Sequence, residues 1–276
     1  MRNEKSHWEE YPREEHRKKA FTSLKTVQKY LNEKKGNANA LIRSFVTCFD
    51  TALSCACGDG SAEAAFKRNY GIKSIYAFDI AHKTLAKSPH KGNGDVRMFV
   101  GDANALGLRR GVFDVIFCYN AAHHFSGLEL AFARMRDSLK PNGIFILNDY
   151  IGPNRLQHTE QTLAVCNAIL DRLPDSLKRL NEKEVKIARR MPLHAISEHE
   201  AIRSEDIEGV FNATFNVVYQ AKFNKILMPL LNEIAQNFNE KDEAHLALLK
   251  LMTLFDDALE QDRSIPHLQI FAIGKK

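Results

Sequence analysis

Between residues 45 and 150, short apolar runs alternate with segments of helical periodicity, and this alternation allows few folds. Near-continuous apolar strands separated by helices are typical of a parallel sheet that is buried on both faces. We therefore expect an α/β fold. The predicted strands are Phe45–Leu53, Lys73–Asp79, Val96–Val100, Phe113–Tyr119 and Ile144–Asp149. The predicted helices between them are Ser61–Asn69, Ala81–Lys87 and Leu128–Leu139.

The alternation is confined to the middle of the chain. Residues 1–40 are expected to form an N-terminal helical segment, because residues 12–35 carry an apolar stripe at helical spacing. Residues 41–150 would form the core. We expect residues 151–276 to belong to the same domain, as helical insertions that form a cap and as a closing β-hairpin. The helices expected in this part lie within 155–207, 224–238 and 242–261, and its strands are Phe215–Tyr219 and Leu268–Ile273.

Composition argues against several classes of protein. The five cysteines are an odd number, and most lie in or beside predicted strands. We therefore expect neither a disulfide framework nor a metal site built on Cys55 and Cys57. No apolar stretch is long enough to span a bilayer, and the N-terminal residues lack the apolar core of a signal peptide. This favours a cytoplasmic protein with no membrane contact.

The net charge of +5 is concentrated near the N-terminus, where residues 1–40 contain ten Lys and Arg against six Glu. Such an excess could bind nucleic acid. However, Glu14, Glu15, Lys18 and Lys19 alternate in sign at helical spacing, which is typical of a solvated helix face. We therefore do not expect a nucleic-acid partner.

Glycines and acids follow three successive predicted strands. The first strand runs into the turn Gly58-Asp59-Gly60, Asp79 ends the second strand, and Asp102 follows the third. Because the carboxyl ends of parallel strands meet at one edge of the sheet, these groups would converge. A tight glycine turn brings backbone N–H groups close to a ligand, and an acid one βα unit later accepts hydrogen bonds from a ribose diol. The pattern indicates a nucleoside-like ligand.

Five segments in this order resemble the successive motifs of class I S-adenosylmethionine-dependent methyltransferases. They are Ser54–Gly60, Asp79, Gly101–Ala103, Phe113–Phe117 and Leu139–Gly143. The resemblance implies a Rossmann-like, seven-stranded, doubly wound sheet whose last two strands form an antiparallel hairpin. It also implies S-adenosyl-L-methionine as the methyl donor and S-adenosyl-L-homocysteine as the product. Two later segments resemble a bacterial subgroup of unassigned substrate, namely Asn148–Arg155 and Glu200–Glu205.

One position departs from the pattern of that family. Its first turn usually has a glycine where this chain has Ala56. The Cβ atom of alanine disfavours a positive φ angle, so we expect a slightly reshaped turn or a slightly shifted cofactor, with binding retained.

The resemblance also assigns the cofactor-binding residues. Asp79 would accept both ribose hydroxyls, and Ile80 would lie against the adenine. Asp102 would accept from the adenine amino group, while the N–H of Ala103 donates to the ring. For each acid, the alternative is that it caps the following helix. The whole expected set is Ala56, Cys57, Gly58, Asp59, Gly60, Asp79, Ile80, Asp102, Ala103, Tyr119 and Asn120.

By the same resemblance, the loop after the fourth strand lies between the cofactor and the acceptor. Its two histidines, His123 and His124, are adjacent, so at most one is expected to face the methyl group. A neutral imidazole there could take a proton from the acceptor, and His124 is preferred over His123 as the catalytic base. The alternative is that one histidine packs under the adenine while the other faces solvent.

Acceptor contacts are expected after the fifth strand, on the carboxyl side of the sheet. Asp149 could orient an acceptor hydroxyl or amine, as a third catalytic residue. Tyr150 and Arg155 could bind the substrate, with Arg155 holding an anionic group, and Arg203 is a further candidate of this kind. For Asp149 and Arg155, a local structural pair is the alternative.

The acceptor pocket is expected to be roofed by helices within 155–207 and 224–261. Two aromatic residues near the N-terminus, Trp8 and Tyr11, could fold over its mouth as a lid. The alternative is that this polar segment is frayed or packed on a neighbouring element.

Methyl transfer from a sulfonium needs mainly positioning and exclusion of water, so the motifs identify the donor better than the acceptor. We expect a methyltransferase that acts on a small-molecule or sugar-type acceptor. A macromolecular methyltransferase, acting on protein or RNA, is the first alternative. A non-catalytic protein that binds an adenosyl ligand, or a scaffold that forms a homodimer, is the second. A NAD-dependent oxidoreductase shares the glycine turn, but it would leave Gly101–Ala103 without a role.

Overall fold

One seven-stranded sheet organises the chain. A computed structural model describes residues 4–10, 18–46, 49–90, 94 and 96–276. The strands are β1 (Thr51–Cys55), β2 (Ser74–Asp79), β3 (Arg97–Val100), β4 (Phe113–Tyr119), β5 (Leu139–Tyr150), β6 (Asn216–Phe223) and β7 (Gln269–Lys275). They lie in the order β3-β2-β1-β4-β5-β7-β6; β1 to β5 pair in parallel, and β7 runs antiparallel to β5 and β6. The predicted doubly wound sheet with a closing antiparallel hairpin is confirmed.

Helices cover both faces of this sheet. Val115 and Phe117 of β4 pack into the core on one face, whereas Ile116 and Cys118 pack into the core on the other. This two-sided burial is the reason why the strand reads as one continuous apolar run. The described helices are α1 (Glu4–Glu10), α2 (Lys25–Lys34), α3 (Ala38–Phe45), α4 (Ser61–Tyr70), α5 (His82–Ala86), α6 (Leu128–Ser138), α7 (Glu160–Leu170), α8 (Asp175–Lys178), α9 (Ile207–Thr214), α10 (Leu227–Leu231) and α11 (Glu243–Ala258). None of these described helices combines the length and the apolar character needed to cross a membrane.

The first strand begins later than predicted. We expected it from Phe45 onward, but α3 ends at that residue and β1 begins at Thr51. The Asn37 side chain accepts a hydrogen bond from the N–H of Ala40 at 3.1 Å, which caps α3, and Ile42 is fully buried beneath it. The segment Gly36–Asn39 therefore begins a helix as well as ending one.

The segment 224–238 is buried as its apolar stripe predicts, but it is not a single helix. It contains α10 and a 3₁₀ turn at Ala235–Asn237, separated by Asn232 with non-helical angles (φ −53°, ψ 144°). Leu227 and Leu230 are fully buried in the same core as α2. This segment therefore packs with α2 on one face of the sheet.

Helix α2 is joined to the C-terminal part of the chain by side-chain hydrogen bonds. The Glu240 carboxylate accepts from the N–H groups of Lys25 and Thr26 at 2.8 and 2.7 Å. The Tyr30 hydroxyl donates to Asp256 at 3.0 Å. Helix α2 is therefore built into the fold and does not form a separate basic arm; residues 12–17 of the predicted helix lie outside the described residues.

Replacing Glu240 by Ala is expected to lower the free energy of unfolding by about 1–2 kcal/mol, because the cap of α2 is lost. Burial raises the pKa of Glu240, but hydrogen bonds from Thr26 and Lys25 outweigh it and lower that pKa overall. The stabilisation should therefore be complete above the ordinary glutamate pKa and shrink as the pH falls through the lowered folded-state value.

Urea unfolding of the wild type and of the Glu240→Ala variant at pH 7 and pH 3 measures the difference in their free energies of unfolding. The exposed Glu182→Ala variant is the matched control, with an expected change below about 0.5 kcal/mol. Equal losses in the two variants would contradict the assignment of Glu240 as a long-range helix cap.

Candidate functional site

The strand order reverses between β1 and β4, and the loops after these two strands hold residues in an uncommon backbone conformation. Ala56 has φ +51° and Asn120 has φ +49°, and both are exposed. Left-handed angles cost a non-glycine residue about 1–2 kcal/mol, and such strain concentrates at ligand sites. Ala56 therefore adopts the left-handed conformation that a glycine would favour, and the turn is not extended to avoid it. Because ligands of α/β sheets bind at such a switch point, the crevice between these loops is the candidate site.

The Asp79 carboxylate ties the glycine turn to the end of β2. Its Oδ2 accepts the N–H of Gly58 at 2.8 Å, and its Oδ1 accepts the N–H of Ala81 at 2.8 Å. Each carboxylate oxygen can accept a second hydrogen bond, so both keep capacity for a ligand hydroxyl. Ala81 immediately precedes α5, which has no side-chain cap, so the Asp79–Ala81 bond fixes the turn between β2 and α5 and does not cap the helix.

The glycine turn presents backbone to the crevice. Gly60 opens α4 with φ +80°, and a Cβ atom there would collide with the Met98 side chain. The side chain of Asp59 forms a hydrogen bond within the turn, because its Oδ1 accepts the N–H of Ser61 at 3.1 Å. Cys57 is buried. A ligand at this turn would therefore meet backbone atoms and the N-terminus of α4.

The other predicted cofactor residues have local contacts. The Asp102 Oδ1 accepts the backbone N–H and the side-chain amide of Asn104, at 2.8 and 3.0 Å. These bonds close a local turn in described residues that form no helix, so they are not the helix cap given as the alternative for Asp102. Ala103 is buried, Ile80 is half-buried, and the Tyr119 ring packs against the core. Contacts of these residues with an adenine stay predictions.

A second cluster lies where β4 and β5 end. The buried Asp149 accepts the N–H groups of Ala121 and Ala122 at 2.8 and 2.7 Å, and its Oδ1 lies 2.5 Å from Nδ1 of His123. On the other side of the ring, His123 Nε2 lies 3.4 Å from Oε1 of Glu200. Burial alone would lower the pKa of His123, but the two carboxylates outweigh it and raise that pKa to about 10. His123 is therefore a cation at neutral pH.

His124 has the opposite protonation state. Its Nδ1 lies 2.9 Å from the carbonyl oxygen of His199. A carbonyl can only accept, so Nδ1 carries the hydrogen and Nε2 keeps its lone pair. Burial and the charge of His123 lower the pKa of His124 to about 4. Of the two histidines, His124 has the protonation state that a base needs at neutral pH.

Arg203 is the residue predicted to bind substrate in the segment 200–205, but in the structure Glu200 of that segment contacts the histidines. The Arg203 guanidinium donates to the Glu129 carboxylate at 2.7 and 2.8 Å and to Asp206 at 2.8 Å. The Arg203 guanidinium therefore forms ion pairs within the fold, whereas the Glu200 carboxylate contacts His123. Only the three-dimensional contact distinguishes Glu200, since the sequence around it carries no metal or acid–base spacing of its own.

Arg155 lines a cavity of about 540 Å³, whose other walls are His7 and residues 193–199. Its Nη2 donates to two backbone carbonyls of that segment at 2.9 and 3.0 Å, and its Nε is buried without a partner among the described residues. Tyr150 is buried, and its hydroxyl donates to a backbone carbonyl at 3.1 Å. The cavity wall thus comes from 193–199, and the segment 224–238 packs elsewhere, with α2.

Helix α1 extends from the histidine pair to the end of β2. The Trp8 ring centroid lies 4.4 Å from that of His124, and Glu9 forms an ion pair with His82. Trp8 therefore lies where an aromatic lid is predicted, and Tyr11 lies outside the described residues.

Comparison with known proteins agrees with this geometry. Residues 53–147 match a family described as a methyltransferase domain. This match begins in β1 and ends in β5, so it spans both Asp79 and the histidine pair.

Two curated relatives match over similar lengths. The chain is 33% identical over 92 residues to the uncharacterized methyltransferase YcgJ of Bacillus subtilis (strain 168), which covers 33% of this chain and 32% of that protein. It is 27% identical over 119 residues to malonyl-[acyl-carrier protein] O-methyltransferase of Xylella fastidiosa (strain M23), which covers 42% of this chain and 40% of that protein. The matched part spans less than half of each relative.

Two solved structures share the fold. A Haloferax volcanii protein solved in complex with the Trm112 methyltransferase activator has a TM-score of 0.53 at 15% identity, covering 100% of both chains. Phosphoethanolamine N-methyltransferase 2 of Haemonchus contortus, solved with S-adenosyl-L-methionine, has a TM-score of 0.53 at 18% identity, covering 87% of this chain and 52% of that one.

The two histidines are expected to titrate far from each other. His123 should lose its proton near pH 10, and His124 should stay neutral down to about pH 4. The pairing of His123 should therefore stabilise the fold fully below the ordinary histidine pKa near 6.5, and this contribution should be lost as the pH rises through 10.

Histidine ring NMR spectra recorded between pH 4 and 10.5 measure both values. The His123→Gln variant assigns the signal, and its loss of unfolding free energy should be larger at pH 6 than at pH 10.5. Two histidines that both titrate near pH 6.5 would contradict the buried carboxylate–histidine–carboxylate arrangement.

Proposed function

We propose that this chain, which belongs to the class I S-adenosylmethionine-dependent methyltransferase family, transfers a methyl group from S-adenosylmethionine to a small-molecule acceptor. The observation that carries the proposal is the Asp79 carboxylate. It is buried at the end of β2, accepts the N–H of Gly58 in the turn after β1, and can accept a second hydrogen bond on each oxygen. A ribose diol is the chemical group that such a carboxylate fits.

The residues of the crevice suit this cofactor. Asp79 would hold the ribose hydroxyls, and the backbone of residues 56–60 would line the middle of the molecule. The N-terminus of α4 would face the carboxylate of its amino-acid part. Ile80, Asp102 and Ala103 would contact the adenine. When bound, the cofactor would supply an electrophilic methyl group, which the acceptor atom gains as the sulfonium becomes a neutral thioether.

His124 would accept the proton that the acceptor loses. Its Nδ1–H is held by the carbonyl of His199, so Nε2 keeps the lone pair that a general base requires. His123 and Asp149 would position His124 and would not take the proton themselves. Asp149 binds the loop through two backbone N–H groups and orients His123. Burial and, after it, the positive charge of His123 lower the pKa of His124 and keep that ring neutral.

A small acceptor would fit the cavity lined by Arg155 and residues 193–199, which reaches His124 through the backbone carbonyl of His199. Its volume of about 540 Å³ is within the range of small-molecule sites, and α1 covers the same region. Arg155 could bind an anionic or hydroxyl oxygen of the acceptor through its buried Nε–H. Tyr150, whose ring centroid lies 6.3 Å from that of His123, is proposed to contact the acceptor from the histidine side.

Replacing Asp79 by Asn is expected to weaken S-adenosylmethionine binding at least about tenfold, because the amide nitrogen cannot accept a ribose hydroxyl. Calorimetry on the purified protein measures the dissociation constant. Asp50→Asn is the control, since Asp50 precedes β1 at the opposite end of the sheet and pairs with Lys73. Unchanged affinity in the Asp79 variant would refute the assignment of this crevice.

Replacing His124 by Gln is expected to lower kcat by about 10²–10⁴-fold while cofactor affinity changes little, because only the proton acceptor is removed. Release of S-adenosylhomocysteine, measured over a panel of sugars, hydroxy acids and amines, identifies an acceptor and then the rate. The control is His90→Gln, outside the cluster. A variant that keeps the full kcat would eliminate His124 as the base, and turnover confined to protein or RNA would overturn the small-molecule acceptor.

A further inference from the structure

We infer that His123, His124 and Glu200 form a binding site for a divalent transition-metal ion, with Zn²⁺ as the ion that fits best. One ligand atom from each side chain lies within 4.8 Å of the other two. His123 Nε2 and Glu200 Oε1 are 3.4 Å apart. Two ligands of a tetrahedral zinc ion, each bonded at 2.0–2.1 Å, are separated by about 3.4 Å, so this pair already has the required spacing.

Both rings are oriented as metal-binding histidines are. The Nδ1 of His123 is held by the Asp149 carboxylate, and the Nδ1–H of His124 is held by the His199 carbonyl. Histidines that bind metals almost always donate the second ring N–H to a carboxylate or a backbone carbonyl, which fixes the ring and leaves Nε2 for the ion. The two supporting contacts are present here in different elements, since Asp149 ends β5 and His199 precedes Glu200 in a loop.

The charges around the cluster also favour a cation. The carboxylates of Asp149 and Glu200 flank the His123 ring on opposite sides. A divalent ion that displaced the proton from Nε2 of His123 would take over the balancing of these two negative charges. Three protein ligands leave the fourth tetrahedral position open, as is typical of zinc sites that exchange a ligand with solvent or substrate.

The site has a consequence for catalysis that rests on the proposed function. The ion would take the Nε2 lone pair of His124, which is the lone pair proposed to accept the acceptor proton. A bound metal would therefore inhibit methyl transfer while leaving the Asp79 crevice able to bind the cofactor. The histidine pair would then be a point at which a metal ion regulates the enzyme.

The test is calorimetric titration of the metal-free full chain with Zn²⁺, together with absorption spectra of the Co²⁺-loaded protein. One ion per chain and the intense visible bands of tetrahedral Co²⁺ are expected. Glu200→Gln should weaken Zn²⁺ binding at least about tenfold, because a charged ligand is lost. The matched control is Glu198→Gln, two residues away in the same loop, which should keep the Zn²⁺ affinity.

Absence of stoichiometric Zn²⁺ binding, or equal affinity of the Glu200 variant and the wild type, would overturn the metal site. Neither result touches the proposed function, because cofactor affinity is measured separately on metal-free protein. Zn²⁺ that binds through Glu200 without slowing turnover would support the metal site and would instead contradict the role of His124 as the base.

Discussion

The whole candidate site depends on two buried carboxylates that bind backbone N–H groups at the ends of strands. Asp79 accepts the N–H groups of Gly58 and Ala81, and Asp149 accepts the N–H groups of Ala121 and Ala122. Loops at the carboxyl edge of a parallel sheet have no ladder partners, so their N–H groups need acceptors. A side-chain acceptor satisfies them. Asp79 keeps a second acceptor position on each oxygen, whereas Asp149 also accepts the N–H of Tyr150 and contacts the ring of His123. The two carboxylates therefore fix the loops in the same way but differ in what they can offer a ligand.

The two adjacent histidines illustrate how such an environment gives chemically identical groups very different pKa values. Two carboxylates contact His123 and raise its pKa to about 10, whereas burial and that neighbouring charge lower the pKa of His124 to about 4. Pairs of titratable groups driven apart in this way are typical of functional sites. Asp149 raises the pKa of His123 more than Glu200 does, and Glu200 comes from a loop far along the chain, so that loop adds to a separation that the end of β5 already produces.

The sequence predicts the parallel part of the sheet well because that part is encoded locally. The strands from β1 to β5, the turn at Gly58 and the acid at Asp79 follow one another at intervals that a parallel sheet requires. The start of β1 was wrong because Asn37 caps an additional helix, and 224–238 was taken for one helix because its apolar stripe reflects burial in the core and not regular geometry. In the first place a local side-chain cap decided the conformation, and in the second place tertiary contacts did.

The acceptor half is harder to predict because its residues have no common spacing. Arg155 lies in a strained loop after β5, its carbonyl partners belong to residues 193–199, and Glu200 reaches back to a histidine near the end of β4. Methyl transfer requires that the acceptor be positioned and shielded from water, and many arrangements of loops can meet this requirement. The chain therefore constrains the donor side through fixed backbone geometry. It leaves the acceptor side to loops whose contacts exist only after the sheet, α1 and the segment 193–203 have come together.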